Sequence, residues 1–295
     1  MHRSTALVAL ALVLGTTPCA QKCAPVHDIF PGTDSSYPRW RWRTLHDYSA
    51  DYQALSGSSM LLQANDGTNG SELWVYSKGR ATLLADINTT SPRAGSEPQR
   101  FLEFFNGRRR LVLFEANDGI HGFEPWVTDG TSAGTRLLMD IAPGGRSSMV
   151  RLQGINDGYW CRVGQQVFFS AFSPSHGHEL WVTNGTRAGT RMVKDIEVGG
   201  DSRPFGLAEW NGKVVFRAFN RMEGEEVWVS DGTAAGTRLL ADKVPGPSSL
   251  GGFNFTEFDG RLFFIAAGDA GSSVWSTDGT VAGTSNVLGD AMQNP

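Results

Sequence analysis

Hydrophobic and polar residues alternate along Glu179-Leu180-Trp181-Val182-Thr183, so an extended strand here turns Trp181 to one face and Leu180 with Val182 to the other. Both faces are apolar, as a strand sandwiched between two packed layers requires. The stretch opens a longer phrase, ELWVTNGTRAGTRMVKDI from Glu179 to Ile196, and variants of it begin at Glu72, Glu124, Glu226 and Ser273. Its tryptophans, Trp74, Trp126, Trp181, Trp228 and Trp275, stand 52, 55, 47 and 47 residues apart, a period that belongs to propellers and other repeat arrays.

Each unit carries four strand-like runs. In the second they are Arg100 to Phe105, Arg110 to Ala116, Glu124 to Thr128 and Thr135 to Ile141. Four short strands per unit make a propeller blade. Asn106-Gly107, Asn211-Gly212 and Asp259-Gly260 supply tight turns between the first two strands, and the DGTxAGT element joins the last two. The expectation is an all-β fold, a β-propeller of five four-stranded blades with repeats at about 37–86, 87–141, 142–196, 197–243 and 244–290, in a single domain over 21–295. Val26-His27-Asp28-Ile29-Phe30-Pro31-Gly32 matches the end of a repeat, Met139 to Gly144, and predicts an N-terminal clasp strand on the last blade. The alternative is an open arc whose edge pairs with another chain.

The phrase resembles the ELWxxDGT repeat family of exported, mostly bacterial proteins. The match covers nearly all of the chain after its first segment. Departures are Pro125 in the second copy, Ser77-Lys78-Gly79 in place of DGT in the first, and Ser273 for Glu in the last. The resemblance implies a β-propeller-like repeat fold and transfers no catalytic residues.

Composition adds the setting. With 40% hydrophobic residues in 295 the chain can bury a large core, and a formal charge of -4 gives no general attraction to nucleic acid or to an anionic membrane. His2 and Arg3, the apolar run Ala6 to Leu14 and the small residues Gly15 to Ala20 read as a secretory signal over 1–20. Cys19 admits a lipoprotein reading, which Thr16-Thr17-Pro18 disfavours. No run approaches the ~20 apolar residues of a spanning helix, so no membrane insertion of the mature chain is expected. Cys23 and Cys161 form a candidate disulfide pair whose pairing the sequence leaves open.

Candidate chemistry gathers on the rim formed by the loops between second and third strands and by the links between blades. Asp66, Glu72 and Asp86 in the first blade, with Asp118, Glu124 and Asp140 in the second, could offer hard oxygens to Ca²⁺. The competing reading has the glutamates capping loop amides and the aspartates forming Asx turns. His121 and His176 hold equivalent positions, with His178 beside the latter, and are candidate ligand-binding groups. Arg39-Trp40-Arg41-Trp42 alternates cation and indole and could stack a sugar, or serve as the first strand of blade one. Sequons stand at Asn69, Asn88, Asn184 and Asn254.

No nucleophile elbow and no phosphate-binding glycine loop occurs. Carboxylates that recur blade after blade argue for a structural task, because a catalytic pair is needed once. The leading functional expectation is a secreted, non-enzymatic propeller that binds a glycan or protein surface. A glycan-active hydrolase or lyase, and a structural coat or adhesion component, are the alternatives.

Overall fold

In a computed structural model of the chain, the described residues are 52–55, 58–149, 160–241, 252–268 and 271–287. They form five four-stranded antiparallel sheets, each with its strands in chain order from one edge to the other. Blade 1 comprises β1 (Tyr52–Leu55), β2 (Ser59–Asn65), β3 (Ser71–Ser77) and β4 (Arg80–Ala85). Blade 2 holds β5 (Gln99–Phe105), β6 (Arg110–Asn117), β7 (Phe123–Thr128) and β8 (Arg136–Leu137). Blade 3 is β9 (Trp160–Val163), β10 (Gln166–Ser173), β11 (Gly177–Thr183) and β12 (Arg191–Lys194). Blade 4 is β13 (Phe205–Trp210), β14 (Lys213–Asn220), β15 (Gly224–Ser230) and β16 (Arg238–Ala241). Blade 5 is β17 (Gly252–Phe258), β18 (Arg261–Gly268), β19 (Gly271–Thr277) and β20 (Ser285–Asn286). First strands of successive blades meet, β1 with β5, β9 with β13 and β13 with β17, which is the arrangement of a β-propeller.

The alternation read from the sequence sets the packing. Leu180 and Val182 join Val214, Phe216, Ala218 and Trp228 of blade 4 in one fully enclosed cluster. Trp181 turns the other way, onto Ile141 with Met139 and Phe123 of blade 2. The same rule places Trp126 against Leu61, Leu73 and Leu84 of blade 1, and Trp275 against Val227 and Leu240 of blade 4. Every interface is therefore directional, with the indole face of one blade on the aliphatic face of the blade before it.

Two sequence expectations are corrected. Fourth strands are shorter than the apolar runs suggested: in blade 2 the run Thr135 to Ile141 pairs only at Arg136–Leu137, next to Pro125, which has no N–H to continue the ladder, while in blades 1, 3 and 4 the ladder shifts register beside the tryptophan. The first strand of blade one is Tyr52–Leu55, whereas Arg39 to Trp42 fell on that role in the sequence. Arg39, Trp40, Arg41 and Trp42, the 1–20 segment and the clasp residues Val26 to Gly32 lie outside the described residues. Among the described residues no helix is long and apolar enough to cross a membrane. Cys161 is buried in the core between blades 3 and 4, and burial pushes its thiol up to about 12; Cys23 lies outside the described residues.

Candidate functional site

The repeated glutamates sit at or near the start of the third strands, with side chains pointing inward to the link between blades. Glu124 is fully buried and accepts the backbone N–H groups of Ile141 (3.1 Å), Ala142 (3.2 Å) and Ser148 (3.2 Å), and the Ser148 hydroxyl at 2.5 Å. Glu72 does the same for Ile87, Asn88 and Ser96, and Glu179 for Ile196 and Ser202. Each carboxylate thus fastens the crossing segment to the blade that it leaves. The clamp satisfies buried amides that would otherwise go unpaired.

Desolvation raises the affinity of these groups for protons. Burial pushes Glu124 and Glu179 up to about 7, opposed by the Ser148 and Ser202 hydroxyls and by the loop amides. Glu72 moves in the same direction for the same reason. The carboxylates of Glu72 and Glu124 are spent on donors inside the protein, so these two residues have a loop-clamping geometry and not that of Ca²⁺ ligands.

The aspartates divide. Asp66 accepts the amides of Thr68 and Asn69 through Oδ1, and the Asn69 side chain through Oδ2. Asp118 receives the amides of Ile120 and His121 on Oδ1 and faces His121 Nδ1 from Oδ2 at 2.6 Å. These are Asx turns that shape the loop. The amide bonds hold the carboxyls of Asp66 and Asp118 below their usual range, against desolvation. Burial, and then the charge of Asp66, raise Asp86. Asp140 lies near enough to His121 for its charge to favour the imidazolium, though the bond to Asp118 is the larger cause of the rise at His121.

Each of the three histidines has its own partner. His121 pairs with Asp118, His176 Nδ1 meets the Ser175 hydroxyl at 2.8 Å, and His178 Nδ1 faces Asp201 at 3.1 Å while its ring packs on Phe172. Among the described residues no three His, Cys, Asp or Glu side chains converge to hold a metal ion.

On the opposite rim the DGTxAGT element is a self-contained hydrogen-bonded loop. Asp129 Oδ1 accepts both the amide and the hydroxyl of Thr131, whose oxygen accepts the amide of Gly134, while Thr135 bonds Thr128 and the Thr131 carbonyl. The pattern repeats at Asn184, Asp231 and Asp278. The arginine that follows reaches forward to the next blade, Arg136 to the carbonyl of Gly185, Arg191 to that of Gly232 and Arg238 to that of Gly279.

Sequence reasoning missed the serine partners Ser96, Ser148 and Ser202. They stand 24, 24 and 23 residues after their glutamates, a nearly constant spacing that lies in the links between blades, outside the repeated phrase. The signal available was Ser-x-Pro, present as Ser96-Glu97-Pro98 and Ser202-Arg203-Pro204.

The loop rim also carries what does not repeat. Ile120 at the tip of the β6–β7 loop, Val198 in the link from blade 3 to blade 4, and Met222 in the β14–β15 loop stand out in solvent. Glu197 receives the amide and guanidinium of Arg221, which holds the Val198 link beside the Met222 loop.

No family model matches the chain, and no curated protein is similar to it. Solved structures similar in arrangement include a puromycin hydrolase (13% identity, 82% of this chain and 39% of that one, TM-score 0.43) and a puromycin-hydrolyzing peptidase of Mycobacterium tuberculosis (15%, 77% and 36%, 0.43). A putative TolB from Agrobacterium tumefaciens is another (13%, 75% and 76%, 0.37). The chain spans less than two fifths of the length of both hydrolases.

Proposed function

We propose that the protein is an exported, non-enzymatic binding module whose loop rim engages a protein surface. The observation that carries the reading is a division of labour on that rim. Residues that recur between blades are consumed by architecture, Glu72, Glu124 and Glu179 by loop amides and Asp66 and Asp118 by Asx turns. Residues that differ from blade to blade, Ile120, Val198 and Met222 with Arg221, are presented to solvent. Apolar side chains and arginine are the groups that contribute most when a protein partner desolvates them. The resemblance to exported ELWxxDGT proteins and the charged, then apolar, N-terminal segment support export.

The test is binding of the purified chain from Gln21 onward to the surface of its producing cells, after protease or periodate treatment of those cells. Protease-sensitive binding that Val198→Asp and Met222→Asp abolish is expected. Periodate-sensitive binding indifferent to both substitutions would transfer the assignment to a glycan, and turnover of a glycan would make the protein an enzyme.

A further inference from the structure

On the rim of hairpin turns and DGTxAGT loops, blades 2 and 3 depart from the repeat in one electrical direction. Between β5 and β6 stand Arg108, Arg109 and Arg110, where the matching turns of blades 4 and 5 carry one cation each, Lys213 and Arg261. In blade 3 the aspartate of the DGT loop is Asn184, and the variable position after its threonine is Arg187, against Ser132, Ala234 and Val281 in blades 2, 4 and 5. Asn184 Oδ1 accepts the amide and hydroxyl of Thr186 at 3.1 and 2.7 Å, as Asp129 Oδ1 does for Thr131 at 3.1 and 2.6 Å. The loop keeps its bonds without a carboxylate, so what the asparagine changes is charge.

These departures meet in space. Gly185 lies so close to blade 2 that an added Cβ would be 2.5 Å from Leu111 and 3.0 Å from Phe104, residues that flank the arginine turn. A Cβ on Gly107, within that turn, would come within 2.5 Å of Gln165 Oε1 in the β9–β10 turn. Trp160 packs with Phe104 and Leu111, and Arg162, two residues on, lies on the same face of β9. Asn106 Oδ1 accepts the amides of Arg108 and Arg109 and fixes the turn that carries them. Two acids answer these cations: Asp129 pairs with Arg109 at 3.0 Å, and Glu103 lies 3.7 Å from Arg110. Arg108, Arg162 and Arg187 are exposed, and no carboxylate among the described residues pairs with them. Beside them Phe105, the register partner of Arg110, is 47% exposed.

We propose that this surface binds a linear polysaccharide of uronic acids. A local excess of arginine on a chain of formal charge -4 selects an anionic partner by charge complementarity. Phe105 is its one exposed large apolar side chain, too little for the dry centre of a protein interface, from which charged groups are depleted. Sugar rings that carry carboxylates suit both features. Guanidinium forks pair with planar carboxylates, and the Phe105 ring offers a flat apolar surface to a pyranose face. Regular spacing of carboxylates along the polymer lets several weak contacts add.

The test is retardation of the chain from Gln21 onward in native gels containing polygalacturonate, beside gels containing neutral galactan, heparin or duplex DNA. Retardation by polygalacturonate that fades with salt, and that is about tenfold weaker in the double variant Arg108→Ser, Arg187→Ser, is expected. Asn184→Asp, which restores the acid of the repeat, should weaken it about threefold with the melting temperature unchanged. Val198→Asp and Met222→Asp should leave it intact, so this site stands or falls apart from the protein contact of the opposite rim. Equal retardation by neutral galactan overturns the proposal by making charge irrelevant, and equal retardation by DNA does so by reducing the patch to an unselective cation surface. Stronger retardation by heparin overturns the choice of carboxylate in favour of sulfate. No retardation by polygalacturonate, or retardation indifferent to the arginine substitutions, overturns the site itself.

Discussion

Glu124 shows how far burial can change the meaning of a side chain. On paper it is one of several rim carboxylates; in the structure it is sealed from water among three amides and a hydroxyl. Glu124→Ala leaves those donors without an acceptor and should cost about 3 kcal/mol, read from urea unfolding. The group also links stability to pH. Its folded value is raised from 4.5 to about 7, so its contribution is full below the unfolded value and is lost as pH rises through about 7. Glu179 adds in the same direction. Melting temperature should therefore fall between about pH 5 and pH 8, and Glu124→Ala should flatten part of that slope. The role was half legible: the recurrence of Glu pointed to architecture, but the serine partners stand in the links, beyond the repeated phrase, where a single hydroxyl among polar residues carries no pattern of its own.

Among elements, the DGTxAGT loop was the most legible, because its chemistry is local. Every bond lies within eight residues of sequence, so the pattern of small residues and threonines is the structure. Gly134 is required for want of space: a Cβ there would come within 1.9 Å of Asp129 Oδ1, the atom that holds the Thr131 amide and hydroxyl. Gly134→Ala should destabilise the protein by on the order of 2 kcal/mol in equilibrium unfolding. Gly144→Ala, where a Cβ meets nothing within 4 Å but φ is +92°, should cost about 1 kcal/mol from backbone strain alone. Fourth strands were less legible than loops, since an apolar run in the sequence does not reveal where its ladder pairing ends.

At the scale of the whole molecule, the alternation around Trp181 gave both the sheet and its neighbours. One face of β11 belongs to blade 4 and the other to blade 2; residue spacing separates the two faces, and the packing assigns each to its neighbour. Trp181→Ala should cost about 3 to 5 kcal/mol and lower the melting temperature of the entire chain if the blades unfold together. Two successive melting transitions would show instead that the array divides at the blade 2 to blade 3 boundary. What remained illegible was the start of blade 1, where Arg39 to Trp42 carries a strand-like pattern and yet the first strand is Tyr52–Leu55.

The one-way pairing of indole face on aliphatic face has a consequence for how such a chain could have grown. A unit copied from Trp181 to Trp228 brings its own aliphatic face, its own indole face, and an arginine aimed at the next glycine carbonyl. Insertion of one more copy in the interior would ask for no new contact surface, only for a wider circle. Genetic duplication can therefore lengthen the protein in steps of one blade, and loop residues such as Ile120 and Met222 are free to diverge afterwards, each copy acquiring its own specificity on an inherited frame.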